Sequence, residues 1–222
     1  MAVVDSVNLG RPRPNPYKEA KSTGIGKVPV AGPVAVRAPG AKTTGLGSGL
    51  VGDFIGDGQH HGGDTQAVYA FQLEDLDAWQ ERLGRDLPNG FFGENLTTRG
   101  IDVNAARVGE RWRIGPDLVL QVTSPRIPCA TFRGWMGERG WAKLFTAAGR
   151  PGTYLKVIVP GTIRAGDPIE VIHRPGHDVT VALVFRATTV ERDLLPSLLA
   201  AGDDLEPDIA ERARSAQLVE LD

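Results

Sequence analysis

The chain has one cysteine, Cys129, and its setting is the first place to look for chemistry. It closes the segment Ser124-Pro125-Arg126-Ile127-Pro128-Cys129, in which two prolines fix the path of the backbone. Arg126, three positions earlier, is a cation that would lower the thiol pKa if it lies close. A thiolate on a stiff loop beside a cation suits ligation of a soft metal or nucleophilic attack. The competing reading is a small buried hydrophobe without reactivity, and composition alone favours it.

The other chemistry-bearing residues sit in glycine-punctuated segments. His60 and His61 lie in Asp57-Gly58-Gln59-His60-His61-Gly62-Gly63-Asp64. Imidazole and carboxylate together could ligate zinc or iron, but adjacent histidines on a strand point to opposite faces, so a surface loop is the better reading for metal. As a hydrogen-bond donor in a ligand pocket, His61 is more credible. Lys27, bracketed by Gly26 and Pro29, could meet a phosphate, or be an ordinary solvated lysine. Asn95-Leu96-Thr97 matches the N-glycosylation pattern, uninformative without a secretory signal. His173 and His177 flank a turn-like Arg174-Pro175-Gly176, and a four-histidine centre with His60 and His61 has no support in the spacing. Arg111 and Arg113 share one face of a strand, where solvated arginines are commoner than an anion patch.

Short strands and turns must position these groups. Val3 to Val7, Gly26 to Val30, Val34 to Val36, Ala67 to Phe71, Thr153 to Val159, Ile169 to Ile172 and Val179 to Phe185 read as β-prone. Arg111 to Ile114 and Leu118 to Thr123 alternate around Gly115-Pro116-Asp117, a hairpin signal. Gly161 to Gly166 reads as a turn. Leu73, Leu76, Trp79 and Leu83 give helical spacing with early acids that suit the helix dipole. A short helix is expected over Gly140 to Ala148. Leu194, Leu195, Leu198 and Leu199 form a second helical stripe stopped by Gly202, and Pro207 can open a last helix. The expectation is a β-rich domain over 1–180 followed by a helical tail over 181–222.

Composition narrows the function. Twenty-eight Gly and 16 Pro favour many short strands over a helical bundle. A formal net charge of -2 gives no global pull toward nucleic acid or anionic membrane. A single cysteine excludes an intramolecular disulfide and any Cys-rich zinc or iron–sulfur site within the chain. No stretch approaches the roughly 20 apolar residues that span a bilayer, and the opening residues lack a basic region followed by an apolar run. The expectation is a cytoplasmic protein. The run Gly45-Leu46-Gly47-Ser48-Gly49 is not followed by a P-loop ending.

Taken together, six segments resemble the MOSC domain, named for the C-terminal domain of molybdenum cofactor sulfurases. They are Gly26-Lys27-Val28-Pro29-Val30; Asp57 to Gly63 with Ala67-Val68-Tyr69-Ala70; Gly93-Glu94-Asn95-Leu96-Thr97; Gly109-Glu110; Ser124 to Cys129; and Gly152 to Val157. The likeness covers roughly residues 25–175 and is nearest to the stand-alone bacterial type linked to resistance against N-hydroxylated purines, which carries a small three-helix extension. It implies a mostly β fold with some α, a β-barrel plus the helical tail. It implies a molybdenum cofactor (molybdopterin) in a cleft, with Cys129 as the metal ligand and catalytic residue. Lys27, His61, Asn95 and Arg126 would contact pterin and phosphate, with backbone amides at Gly62 and Gly63 adding an anion nest. The chemistry implied is two-electron reduction of a small N-hydroxylated substrate, with electrons from a separate reductase. The likeness admits a homodimer, and implies neither a nucleic-acid nor a membrane partner. The alternative is a carrier of molybdenum cofactor or sulfur without turnover. One departure stands out: Gln66 takes a position where relatives often have lysine.

Overall fold

The computed structural model describes residues 1–19 and 21–219. Twelve strands form: β1 Val3–Leu9, β2 Arg13–Pro14, β3 Ser22–Thr23, β4 Val28–Pro29, β5 Val34–Val36, β6 Val68–Gln72, β7 Leu96–Arg99, β8 Arg111–Ile114, β9 Leu118–Pro125, β10 Thr153–Val159, β11 Gly161–Ile163 and β12 Ile169–His173. The α-helices are α1 Leu73–Leu83, α2 Ala130–Met136, α3 Trp141–Ala148, α4 Val181–Thr189 and α5 Pro207–Ser215, with 3-10 turns at Asp64–Gln66 and Arg192–Asp204.

Eight strands share one mostly antiparallel sheet in the order β12-β8-β9-β10-β6-β7-β1-β4. β6 is buried along its whole length, as expected of a continuous apolar run at a sheet centre. It pairs with β7 in parallel, and α1 provides the crossover such a pair requires. β8 and β9 form the expected hairpin, with Ile114 opposite Leu118. Val4, Val7, Val68, Leu96, Trp112, Leu120 and Leu155 fill the main core.

The expected closed barrel does not form as a continuous ladder. β12 and β4 end the sheet. The seam is spanned by an isolated bridge, Val3 with Pro168, and by backbone bonds such as Val4 N–H to Asp167 O at 2.9 Å. Pro168 cannot donate to a ladder, so strand pairing there stays local. The fold is a mixed α/β arrangement with a large, mostly antiparallel sheet.

Three local expectations are corrected. Val179 to Phe185, β-prone by composition, becomes α4 from Val181: Thr180 Oγ1 accepts the Leu183 N–H as an N-cap, and Val181, Val184, Phe185 and Thr188 bury one helical face. Gly161–Ile163 is not only a turn, since it pairs with β5. A helix not foreseen, α2, begins directly after Cys129. The tail does fold as helices, broken at Gly202, and Pro207 opens α5. Its leucines pack on Val108 and Val179 in a core of their own. Among the described residues no helix is long and apolar enough to cross a membrane.

Candidate active site

β9 runs out at Pro125 and delivers the next four residues between the sheet and an aromatic cluster of Phe71, Trp79, Phe92, Phe132, Trp141 and Phe145. The Arg126 side chain enters this cluster almost fully buried. Its Nη1 donates to the Phe92 carbonyl at 2.7 Å, and the guanidinium lies 4.2 Å from the Phe132 ring centre and 5.1 Å from that of Tyr69. Two aromatic faces thus hold a buried cation by its planar fork. Its Nε has no hydrogen-bond partner among the described residues.

Cys129 is the N-cap of α2 and stands half-buried beside this cation. Burial pushes its thiol up, but a hydrogen bond from His61, the charge of Arg126 and the Phe132 backbone N–H outweigh that, bringing the pKa from 9.0 down to about 6. Near pH 7 the sulfur is therefore mostly thiolate.

His61 reaches the thiol from the turn that precedes Gly62 and Gly63. Both glycines have positive φ, 81° and 79°. A Cβ at Gly62 would lie 2.6 Å from the Gly47 carbonyl oxygen, and one at Gly63 would lie 2.7 Å from the Lys42 Cα. The turn needs glycine at both positions. The expected anion nest is incomplete, however, because the Gly63 N–H already donates to Gly47 O at 2.9 Å. His60 points away, exposed and paired with Asp57 at 3.1 Å.

An open cleft of about 90 Å³ joins these groups, and Lys27, His61, Gly62, Asn95, Arg126 and Cys129 all line it. Lys27 lies there in a form sequence reasoning did not foresee. Its Nζ is 2.5 Å from Asp53 Oδ1, with both side chains buried. Asp53 also accepts the Gly10 N–H at 2.7 Å and Asn95 Nδ2 at 2.9 Å. Asn95 Oδ1 in turn accepts the Tyr69 N–H at 3.2 Å. The lysine charge is neutralised inside the wall, so Arg126 is the more available cation for an anion. Nothing local in Val51-Gly52-Asp53 marks Asp53, whose partners are far away in sequence.

Tyr69, Tyr154 and Gln66 complete the wall. Burial raises the pKa of both tyrosines, so they remain protonated. Gln66 Oε1 is buried without a partner among the described residues. Arg113 pairs with Glu170 and Arg111 with Gln121 on the sheet surface, away from the cleft. His173 and His177 do not join His60 and His61. Among the described residues no group of three or more His, Cys, Asp or Glu side chains is placed to hold a metal ion.

A large antiparallel sheet with a half-buried, acidified thiol between a histidine and a caged arginine defines a thiolate-centred cleft protein. The match to the MOSC domain family model over residues 57–170, which includes Cys129, makes the chain a member of that family. It is 30% identical over 208 residues to the uncharacterized protein YflK of Bacillus subtilis, covering 88% of each chain. It is 32% identical over 164 residues to a protein of Gibberella moniliformis called "Reductase", covering 70% of this chain and 29% of that one. The crystal structure of YiiM from Geobacillus stearothermophilus superposes with a TM-score of 0.78 at 25% identity, over 97% of this chain and 99% of that one.

Proposed function

We propose that this protein binds a molybdenum cofactor through Cys129 and reduces N-hydroxylated bases or related N–OH compounds. The observation that carries the reading is the Cys129 thiolate, held by His61 and Arg126 in the lining of one cleft. The residues fit such a group. One soft thiolate is a suitable protein ligand for a metal that brings its own dithiolene. Arg126 Nε and Gln66 Oε1, both buried without partners, leave a donor and an acceptor unused in the cleft wall. A relative called "Reductase" supports the reaction class.

When bound, the cofactor supplies the two-electron redox chemistry. The net reaction balances as R–NHOH + 2e⁻ + 2H⁺ → R–NH₂ + H₂O. The chain's own residues have the remaining tasks. Arg126 and the Phe132 N–H keep the Cys129 sulfur anionic, the form that ligates. His61, half-buried in the cleft lining, would supply a proton to the departing oxygen. Lys27, Asp53 and Asn95 brace the cleft wall through their shared network. The test is turnover: protein from a molybdopterin-competent host, given reduced methyl viologen and 6-hydroxylaminopurine, should form adenine. Metal-loaded protein that turns over no hydroxylamine would refute the reductase reading and favour a carrier.

A further inference from the structure

The reduction of an N–OH group consumes two protons, and His61 accounts for one of them. Most other ionisable side chains of the cleft lining are committed elsewhere. The Lys27 ammonium is bound to Asp53. Burial favours the neutral form of Asp57, but Lys18 at 2.6 Å and His60 outweigh it and hold the carboxyl well below its usual range. Cys129 is the ligand, and Arg126, like any guanidinium, keeps its proton.

Tyr69 and Tyr154 remain. They are cross-strand partners on β6 and β10, with ring centres 5.2 Å apart. Their hydroxyls differ. Tyr69 Oη donates to the Pro151 carbonyl at 2.7 Å. Gly152, at φ 73°, makes room for this, since a Cβ there would lie 2.9 Å from the Tyr69 ring. Tyr154 Oη has no hydrogen-bond partner among the described residues and is not closed off from solvent.

The backbone aims that free hydroxyl. Tyr154 pairs with Ser124 and Leu155 with Val122, so Thr123 is an extra residue on β9 and the register slips there. Bulges of this kind re-aim side chains and are common beside active sites. Leu155 turns into the main core, fully buried, and Tyr154 turns to the other face of the strand. There it packs against the same aromatic cluster as Cys129. Burial holds the phenol in its protonated form, and the Arg126 and Cys129 charges both reach it.

We propose that Tyr154 is the second proton donor of the cleft, giving its phenolic proton to the substrate nitrogen as the N–O bond breaks; the assignment rests on the reductase reading. The step balances. R–NHOH takes two electrons from the cofactor, one proton at oxygen from His61 and one at nitrogen from Tyr154, and leaves as R–NH₂ and water. A deprotonated amine nitrogen is a far stronger base than phenolate, so the transfer runs downhill. The Arg126 charge favours the phenolate that forms. Both donors then regain a proton from solvent in the open cleft.

The test compares wild type with Tyr154→Phe, both from a molybdopterin-competent host, using reduced methyl viologen and 6-hydroxylaminopurine. The variant keeps the ring and loses only the hydroxyl. Its molybdenum content and KM should match wild type, while kcat falls about a hundredfold or more. The solvent isotope effect on kcat should rise, because water must then supply the proton; loss of a merely structural contact would leave it unchanged. If Tyr154→Phe does not fold, 3-fluorotyrosine at position 154, a stronger acid of nearly the same shape, should still change kcat. An unchanged kcat would overturn the inference. So would a raised KM with kcat kept, which would make Tyr154 a binding group, or lost molybdenum, which would make it a cofactor contact. Each of these leaves the reductase reading standing. Metal-loaded wild type that turns over no hydroxylamine would sink that reading, and the assignment of Tyr154 with it.

Discussion

Two polar clusters contribute to the lining of the same cleft, and they differ in how completely they are satisfied. Lys27, Asp53 and Asn95 form a closed network in which the carboxylate is shared among a lysine, an amide and a backbone N–H. Cys129, His61 and Arg126 form an open one, with a thiolate available and the arginine Nε unpartnered. The lesson is that conserving charge inside a wall and offering it to a ligand are separate tasks. A satisfied buried pair mainly fixes geometry. An unsatisfied group beside a cavity is where binding can add free energy.

The comparison breaks hardest at Asp53. Asp53→Ala leaves the Lys27 ammonium buried without a counter-charge, and stability should fall by about 3–5 kcal/mol, read as a lowered denaturation midpoint. Loss of only a few tenths would mean that the network is not a structural clamp.

The open cluster should respond in reactivity first. Alkylation of Cys129 by iodoacetamide in cofactor-free protein should follow thiolate formation with a midpoint near pH 6, and His61→Ala should move that midpoint up toward 9.0. An unmoved midpoint would mean that His61 does not support the thiolate. The linkage runs the same way: a depressed thiol pKa adds stability present above 9.0 and lost as pH falls through about 6.

Glu94 sharpens the contrast with the opposite sign. Burial pushes its carboxyl up to about 7. Its contribution is therefore fully present below pH 4.5 and lost as pH rises through about 7. Denaturation measured across that window should show wild type losing stability relative to Glu94→Gln. Parallel curves would remove Glu94 from the account. The smallest effect belongs to His60→Ala: the side chain is exposed and outside the cleft, so neither the alkylation midpoint nor turnover should change.

Much of this was legible in the sequence, for stated reasons. The Ser124 to Cys129 segment, the β8–β9 hairpin and α1 follow from local rules about proline, turn residues and helical spacing. Elements set by long-range contacts were not. α2 is short and contains Gly134, and the Arg85 guanidinium reaching the Met136 carbonyl at 2.6 Å comes from a distant turn. In α4, a β-prone run was overridden by the Thr180 cap and by what its buried face packs against. Asp53 was illegible for the same reason, since its value lies wholly in Gly10, Lys27 and Asn95. Gln66 is the reverse case. The family resemblance singled it out in sequence, and the fold turns it into an unpartnered acceptor in the cleft wall.

The central claim is that Cys129 is the molybdenum ligand. Its most direct test is metal analysis of wild type and Cys129→Ala purified from a molybdopterin-competent host. The account predicts molybdenum near one per chain in wild type and a sharp fall in the variant. Full retention of molybdenum in Cys129→Ala would contradict it.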